Sequence, residues 1–410
     1  MHVIFVAPHF PANQRRFVRG LKKAGAIVTG VGEAQADQLD SELRGLLDGW
    51  EQVPNVCDPG HLEAAVRRIQ RRGPWVNYLE ATVEAHMLAA AEVRAATGIP
   101  GLSTDVVLRC RDKFEMKKFL LDRGVPCAAQ AAVTRGDDAR AFARRNGYPF
   151  ILKPRDGAGA HGTVKVNSPA ELEGAIAERG LDQRPGHWSA EDFIAGHEGF
   201  YDTITVNGEV GFESISHYYP GVLESMRSRD VNPYLVVTNR LDSSGYQELR
   251  QFGRNIVKVM GIGTSATHME WFFGPKGLTF SEIGARPPGV SVWDLYAAAG
   301  GFDIYEAWAK AVCHGTLPPA LHQRQAAGLL ALRPDRDGVI SGYSGVDEVQ
   351  RRHGPSILKA FLPPVGTRTQ PVEAGYMANA WVQVVHPDFD VAKAILMDIG
   401  NTVKVHARPL

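Results

Sequence analysis

The feature that most constrains the fold is the alternation of short apolar runs with helical periodicity over roughly the first 100 residues. Val3–Ala7 has the pattern of a buried strand, Arg15–Ala24 has helical spacing, and Ile27–Val31 is a second strand. A further strand is expected at Trp75–Leu79, with helices between these runs. Alternating strands and helices indicate a doubly wound parallel sheet. No GxGxxG motif occurs here, so a dinucleotide site is not indicated.

The charge balance and the apolar pattern narrow the possible partners. Lys plus Arg and Asp plus Glu each number 45, so no charge excess indicates nucleic acid or an anionic membrane. No apolar run reaches the roughly 18 residues of a membrane helix, and the N-terminus lacks the cationic lead of a signal peptide. The four cysteines are scattered without CxxC spacing, as expected for free thiols in a reducing compartment. We therefore expect a cytoplasmic protein.

Turn-rich segments predict three domains in the 410 residues. Residues 1–105 form the N-terminal α/β domain, residues 106–317 a central domain, and residues 318–410 a C-terminal α+β domain. In the central part, Asn207-Gly208 between two strand patterns is a hairpin signal, which indicates antiparallel pairing. Pro318-Pro319 marks the clearest boundary.

A short apolar strand that ends in Lys153 runs into a loop containing Gly157, Gly159 and Gly162. Glycines let backbone N–H groups converge on a phosphate, and Lys153 would add a positive charge beside them. The spacing differs from GxxxxGK[ST], so the segment is not a P-loop. Taken alone, an ordinary flexible turn explains it equally well.

The strongest chemical signal is a pair of acidic residues on a predicted hairpin. If Pro275-Lys276-Gly277 is a three-residue loop, Gly274 pairs with Leu278 and Glu270 lies directly opposite Glu282. Facing carboxylates repel each other, whereas a divalent cation such as Mg²⁺ would turn them into a site. A two-residue loop would put them on opposite faces unless a bulge corrected the register. The alternative is two unrelated glutamates that face solvent.

Two further segments carry suitable side chains. Glu191–Glu198 has a strand–turn–strand pattern, whose backbone could meet a purine edge while Glu198 accepts from ribose hydroxyls. Arg286 is followed by Pro287-Pro288 and could clamp a phosphoryl or carboxylate group bidentately. Taken alone, the first segment is better explained as a plain strand–turn–strand with an exposed glutamate, and the alternative for Arg286 is a surface arginine at a turn.

Taken together and in this order, the segments resemble the ATP-grasp superfamily, in particular its carboxylate–amine ligases. The likeness spans roughly residues 100–315 and includes Arg111-Asp112-Lys113 at a predicted helix start. The segment Glu282-Ile283-Gly284-Ala285-Arg286-Pro287 is most similar to ligases that join amino acids. The resemblance implies a central ATP-grasp domain of two α+β subdomains, preceded by the doubly wound α/β domain and followed by the α+β domain.

The resemblance also implies roles for individual residues. Glu270 and Glu282 would bind Mg²⁺ or Mn²⁺, and Arg286 and Lys153 would be catalytic. Many family members carry Asn two residues after the second metal glutamate, whereas this chain has Gly284, so a second metal would lack one ligand. The residues implied in ATP binding are Lys113, Lys153, Gly157, Gly159, His161, Gly162, Glu191, Ile194, Glu198 and Phe280.

The implied reaction is formation of an amide from small-molecule carboxylate and amine substrates, with amino acids favoured. ATP would convert the carboxylate to an acylphosphate, and the reaction would release ADP and phosphate. The candidates for substrate contact are His217, Tyr218, Arg227, His268 and Arg286. An ordinary surface loop is the alternative for residues 217–230, and a core histidine is the alternative for His268.

Two other functions stay open at this point. One is an ATP-grasp carboxylase or nucleotide-precursor enzyme, which would differ in the acceptor pocket. The other is a nucleotide-binding regulator without catalysis, against which the intact set of charged residues argues. An apolar face on the first domain would allow a homodimer.

Overall fold

The computed structural model describes residues 1–156 and 162–410. The predicted nucleotide residues Gly157, Gly159 and His161 therefore lie outside the described residues. In the described ranges, no helix combines the length and the apolar character that a membrane span requires.

The first region is a parallel sheet with helices on both faces. The strand order is β3-β2-β1-β4, so the direction of winding reverses between β1 and β4. Val3 and Phe5 pack on one face with Phe17, while Ile4 and Val6 pack on the other face. The doubly wound prediction is confirmed. The elements are β1 (His2–Val6), α1 (Gln14–Lys23), β2 (Ile27–Gly32), α2 (Ser41–Leu46), β3 (Gly49–Gln52), α3 (Pro59–Arg72), β4 (Tyr78–Glu80) and α4 (Met87–Thr97).

A small antiparallel sheet of order β5-β8-β6-β7 follows. Its elements are α5 (Thr104–Arg111), α6 (Lys113–Leu121), β5 (Gln130–Val133), α7 (Gly136–Asn146), β6 (Phe150–Pro154), β7 (Val164–Val166), α8 (Pro169–Arg179) and β8 (Trp188–Asp192). As the sequence predicts, a helix begins at Lys113. The Asp112 carboxylate accepts hydrogen bonds from the N–H groups of Phe114 and Glu115, which fixes that helix start.

The rest of the chain builds an eight-stranded sheet of order β13-β12-β9-β10-β11-β14-β17-β16 and a two-stranded sheet of β15 and β18. The elements are β9 (His197–Val206), β10 (Glu209–Tyr219), α9 (Val222–Ser225), β11 (Tyr234–Val237), α10 (Ser244–Met260), β12 (Ser265–Gly274), β13 (Gly277–Gly284), α11 (Val292–Gly300), α12 (Ile304–His314), β14 (Ala326–Leu332), β15 (Val339–Ser344), α13 (Val346–His353), β16 (Ile357–Phe361), β17 (Ala380–His386), α14 (Phe389–Thr402) and β18 (Lys404–Arg408).

The eight-stranded sheet crosses the predicted boundary at residues 317 and 318. β11 precedes this boundary and β14 follows it, and the two strands pair in antiparallel fashion from Tyr234 opposite Leu330 to Val237 opposite Ala327. The residues after Pro318 therefore extend the same sheet that carries the acidic pair. The division into three domains stays a prediction, but the third region is joined to the second by strand hydrogen bonds.

The β12–β13 hairpin corrects one detail of the sequence interpretation. Gly274 pairs with Gly277, not with Leu278, so the loop has two residues, not three. A bulge at Ser281 then shifts the register, and Glu270 still lies opposite Glu282. Gly277 has φ of +81°, which a glycine adopts without strain. The facing of the two carboxylates thus arises from a two-residue turn plus a bulge.

Candidate active site

A cavity of about 460 Å³ lies between the small antiparallel sheet and the eight-stranded sheet. Its wall combines cationic side chains from α6 and β6 with acidic side chains from β8, β9, β12 and β13. Apolar side chains such as Ile151, Phe193 and Phe272 line the other part. Of the residues predicted from the sequence, those on this wall are Lys113, Lys153, Glu191, Ile194, Glu198, Arg227, Glu270 and Glu282.

Glu191 holds two lysines inside the cavity through its side chain. Lys153 Nζ lies 2.9 Å from Glu191 Oε2, and Lys117 donates to the same oxygen. Burial lowers the pKa of Lys117 to about 8. For Lys153 burial acts in the same direction, but the carboxylates of Glu191 and Glu282 outweigh it and raise its pKa. The sequence interpretation used only the backbone of Glu191 and missed Lys117, although Lys117 lies one helical turn after Lys113 on the same face of α6.

The acidic pair, Glu270 and Glu282, lines the same cavity as the lysines. Lys113 Nζ lies 3.4 Å from Glu282 Oε2. Burial opposes ionisation of Glu282, but Lys113 and Lys153 lower its pKa to about 2. Glu282 is therefore an anion at neutral pH, and it lies where cationic side chains converge.

Glu198 lies in the same cavity but in a different electrostatic environment. Burial and the neighbouring Glu270 raise its pKa to about 8, although the Val222 N–H donates to Oε2 at 2.7 Å. A Cβ at Gly221 would lie 2.5 Å from this oxygen, so a larger residue there would displace the carboxylate from its present position. The start of α9 thus fixes the position of Glu198.

The donor set fits a hard divalent cation. Glu270 and Glu282 face each other on neighbouring strands and both line the cavity. In the described residues, no group of three or more His, Cys, Asp or Glu side chains is arranged to hold a metal ion. Two carboxylates with further positions left for phosphate and water oxygens are typical of a Mg²⁺ site in a nucleotide-binding enzyme.

Arg286 connects this site to the first region of the chain. Its Nε donates to Glu84 Oε2 at 2.7 Å, and Nη1 donates to the Pro287 carbonyl at 2.9 Å. Although burial opposes it, the Glu84 carboxylate raises the pKa of Arg286, with a further contribution from Glu282. Glu84 is 202 residues away in sequence and was missed because no local pattern links the two residues. Gly284 lies beside this pair, since a Cβ there would be 3.4 Å from Glu84 Oε2.

His268 lies behind Glu270. Its Nδ1 lies 2.7 Å from Asp202 Oδ1 and its Nε2 lies 3.7 Å from Glu270 Oε1. Tyr296 donates its hydroxyl to the other oxygen of Asp202 at 2.5 Å. Burial opposes protonation, but Asp202 raises the pKa of His268 to about 9, so the ring is a cation at neutral pH. It therefore supports the negative charge of Glu270.

Two predicted residues, Phe280 and His217, do not line this cavity. Phe280 is fully buried in a core cluster and does not line the cavity, where Phe272 and Ser281 take its place. His217 points to the face of β10 away from the acidic pair, because neighbouring strand residues alternate between faces. There it lies 2.8 Å from His197 and 2.7 Å from the Tyr246 hydroxyl.

The other predicted positions are compatible with a role in the site. Tyr218 packs on Phe200, with ring centroids 4.9 Å apart, and Phe200 lies opposite Glu270 in the sheet. Arg227 lines the cavity and donates to the Thr163 carbonyl at 2.6 Å. Gly162, at the edge of the described residues, has φ of +71°.

Comparison with known proteins gives an amino acid ligase and large chains of carbamoyl phosphate synthase among the relatives. No family model matches the chain. An L-arginine-specific L-amino acid ligase of Bacillus subtilis is 24% identical over 309 residues, which is 74% of this chain and 73% of the relative. The carbamoyl phosphate synthase large chain of Clavibacter sepedonicus is 24% identical over 214 residues, 51% of this chain but only 19% of that protein.

Solved structures show the same fold over the full length. The L-amino acid ligase from Bacillus licheniformis superimposes with a TM-score of 0.76 at 17% identity, covering 99% of this chain and 98% of the other. The N5-carboxyaminoimidazole ribonucleotide synthetase from Thermotoga maritima gives 0.71 at 16% identity, covering 99% of both chains.

The fold, the site and the relatives together indicate an ATP-dependent ligase of the ATP-grasp type, as the sequence predicts. The relatives that the chain resembles are ADP-forming enzymes that make C–N bonds.

Proposed function

We propose that the protein joins two amino acids, or an amino acid and a related amine, through an acylphosphate. The observation that carries the proposal is the convergence of Lys113 and Lys153 with Glu270 and Glu282 on one cavity. Lysines beside paired carboxylates suit a nucleotide triphosphate, whose transfer chemistry depends on positioning and charge neutralisation. The amino-acid ligase of Bacillus subtilis supports the choice of substrates.

In the first step, an oxygen of the substrate carboxylate attacks the γ-phosphorus of ATP in line, and the bond to the β-phosphate oxygen breaks. The products are an acylphosphate and ADP. Lys153 and Lys113 hold the phosphates, and the apolar wall formed by Ile151, Phe193 and Phe272 takes the base. Phe193 and Lys165 are in contact, with the ammonium 3.8 Å from the ring centroid, so both are held at this wall.

In the second step, the amine nitrogen attacks the acyl carbon. A C–N bond forms, the bond to the phosphate oxygen breaks, and the amine loses one proton as phosphate leaves. Arg286 stabilises the negative charge that develops on the acyl oxygen, and Glu84 keeps its guanidinium oriented. A closed site is needed because water would hydrolyse the acylphosphate.

Glu270 and Glu282 would hold Mg²⁺, or Mn²⁺, which supplies neutralisation of phosphate charge when it is bound. His268 and Asp202 orient Glu270 from behind. On the other side, Lys113 holds Glu282. The homodimer predicted from the sequence stays a prediction.

The test is a screen for ADP release over pairs of amino acids, with mass detection of the products. We expect an ATP-dependent product whose mass is the sum of two amino acids minus one water. Bicarbonate and an amine without a carboxylate are included as separate arms. ADP release with bicarbonate alone would favour the carboxylase alternative, and no ADP release with any substrate would favour a regulator without catalysis.

A further inference from the structure

Residues from the C-terminal third of the chain lie close to the acidic side of the site. Arg333 directly follows β14, in the sheet that carries Glu270 and Glu282. Tyr376 lies in the connection between β16 and β17 and packs near Tyr218, with ring centroids 6.4 Å apart. Tyr218 itself packs on Phe200, which lies opposite Glu270. A continuous set of contacts therefore runs from the acidic pair to Tyr376.

Arg333 fixes this arrangement through backbone carbonyl groups. Its Nη2 donates to the Ser225 carbonyl at 3.1 Å, and its Nη1 donates to the carbonyls of Val372 and Gly375 at 3.1 and 3.4 Å. Ser225 ends α9, the helix whose first amide holds Glu198. The guanidinium thus ties the Tyr376 turn to the element that positions a cavity carboxylate.

Two polar atoms in this region are left without partners. The Tyr376 hydroxyl and the Arg333 Nε are both buried, in residues that are 6% and 7% exposed, and neither has a hydrogen-bond partner of good geometry among the described residues. Ser225 lies close enough to the Tyr376 hydroxyl to oppose the rise in its pKa. The nearby Ser225 hydroxyl has the carbonyls of Pro220 and Gly221 within reach as acceptors, at 3.1 and 3.0 Å. Buried polar groups are normally hydrogen-bonded, and the Tyr376 and Arg333 side chains are close enough to affect each other's pKa, so the two donors together suit an anionic or strongly polar ligand.

The surroundings indicate which way such a ligand would point. Burial, with smaller contributions from the negative charges of Glu198 and Glu270, raises the pKa of the Tyr376 hydroxyl, so it is a neutral donor at physiological pH. Arg333 adds a positive charge at the same place. A zwitterionic amino acid would direct its carboxylate to these two donors and its amino group to the acidic side of the cavity.

We propose that the Tyr376 hydroxyl and the Arg333 Nε form a carboxylate subsite for the acceptor amino acid. This inference rests on the proposed ligase function and names the part of the site that recognises the second substrate. Tyr376 touches the substrate, whereas Arg333 both donates to it and positions the Tyr376 turn. The subsite explains how a third region that shares a sheet with the acidic pair would contribute to specificity.

The test compares Tyr376→Phe with the unaltered protein, using L-alanine and L-alaninamide as probe acceptors with ATP and the donor amino acid saturating. Phenylalanine keeps the packed ring and removes only the hydroxyl. We expect the KM for L-alanine to rise roughly 10- to 100-fold, as for loss of a hydrogen bond to a charged group. The KM for L-alaninamide and the KM for ATP should change less than about twofold, because neither uses the subsite.

Tyr343→Phe is the matched control, since Tyr343 donates to the Pro363 carbonyl elsewhere in the same region. Arg333→Lys should raise the KM for L-alanine as well, because the single ammonium group of lysine cannot replace the several N–H donors of the planar guanidinium. An unchanged KM for L-alanine in Tyr376→Phe, or equal losses with L-alanine and L-alaninamide, overturns the subsite while leaving the ligase function intact. An unaltered protein that releases no ADP with any amino acid pair overturns both.

Discussion

Glu270 lies directly opposite Glu282 because Ser281 is inserted as a bulge between these residues and the two-residue turn of their hairpin. Without the bulge, a turn of that length would send the two carboxylates to opposite faces of the sheet. With it, both line the cavity that also contains Lys113 and Lys153. The bulge is therefore a feature that builds the site.

The first prediction concerns the metal. Glu282→Gln removes an anionic ligand and the charge partner of Lys113, so the Mg²⁺ concentration needed for half-maximal ADP release should rise roughly 10- to 100-fold. The measurement is ADP release titrated with MgCl₂, and then with MnCl₂. Glu209→Gln, an exposed position at the β9–β10 hairpin, is the matched control. An unchanged Mg²⁺ dependence in Glu282→Gln would remove this residue from the metal site.

Much of this site could be predicted because its signals are local. The pairing of Glu270 with Glu282 follows from counting along one hairpin, and the helix start at Arg111-Asp112-Lys113 is a short motif of the family resemblance, which the Asp112 cap explains. The loop is one residue shorter than the sequence predicts. Glu270 and Glu282 are still paired, because the bulge at Ser281 restores the register. Periodicity cannot reveal a bulge, since it changes the register without changing the residue types.

The remaining parts could not be predicted because they depend on contacts between distant segments. Glu84 meets Arg286 only after the first region packs against the eight-stranded sheet. Lys117 gave a helical spacing signal, but its partner Glu191 lies on a strand 74 residues later. The pairing of β11 with β14 could not be predicted from the sequence. Pro318-Pro319 between them indicates a domain boundary, and this signal is the same whether or not the strands on either side pair.

The second prediction concerns the arginine clamp. Arg286→Ala should lower kcat on the order of 10²–10³, by analogy with loss of a single oxyanion-hole donor. Glu84→Gln should lower it roughly tenfold, because the guanidinium is retained but loses a charged hydrogen-bond partner. Steady-state ADP release measures both, with the exposed Arg144→Ala as control. A near-normal rate in Arg286→Ala would exclude Arg286 from the mechanism.

The third prediction concerns the nucleotide. Lys153→Ala should weaken ADP binding roughly 10- to 100-fold, because it removes a buried cation that lines the phosphate side of the cavity. Calorimetric titration with ADP measures the affinity without requiring any second substrate. Lys276→Ala, an exposed residue in the β12–β13 turn, is the control. Unchanged ADP affinity in Lys153→Ala would contradict the assigned role.

The last prediction concerns stability and pH at Glu80, outside the nucleotide cavity. Glu80 lies with Arg94 at a small polar cavity between the first region and the start of β12, and burial raises its pKa from 4.5 to about 7. The folded protein therefore binds this proton more tightly than the unfolded chain, so the stabilisation present below pH 4.5 is lost as pH rises through 7.

Glu80→Gln mimics the protonated form and should escape this loss. Between pH 4 and pH 8, its free energy of unfolding relative to the unaltered protein should increase by at most about 3 kcal/mol. Urea unfolding at both pH values measures the difference, with Glu209→Gln as control. A difference between the two proteins that does not change with pH would show that Glu80 titrates normally.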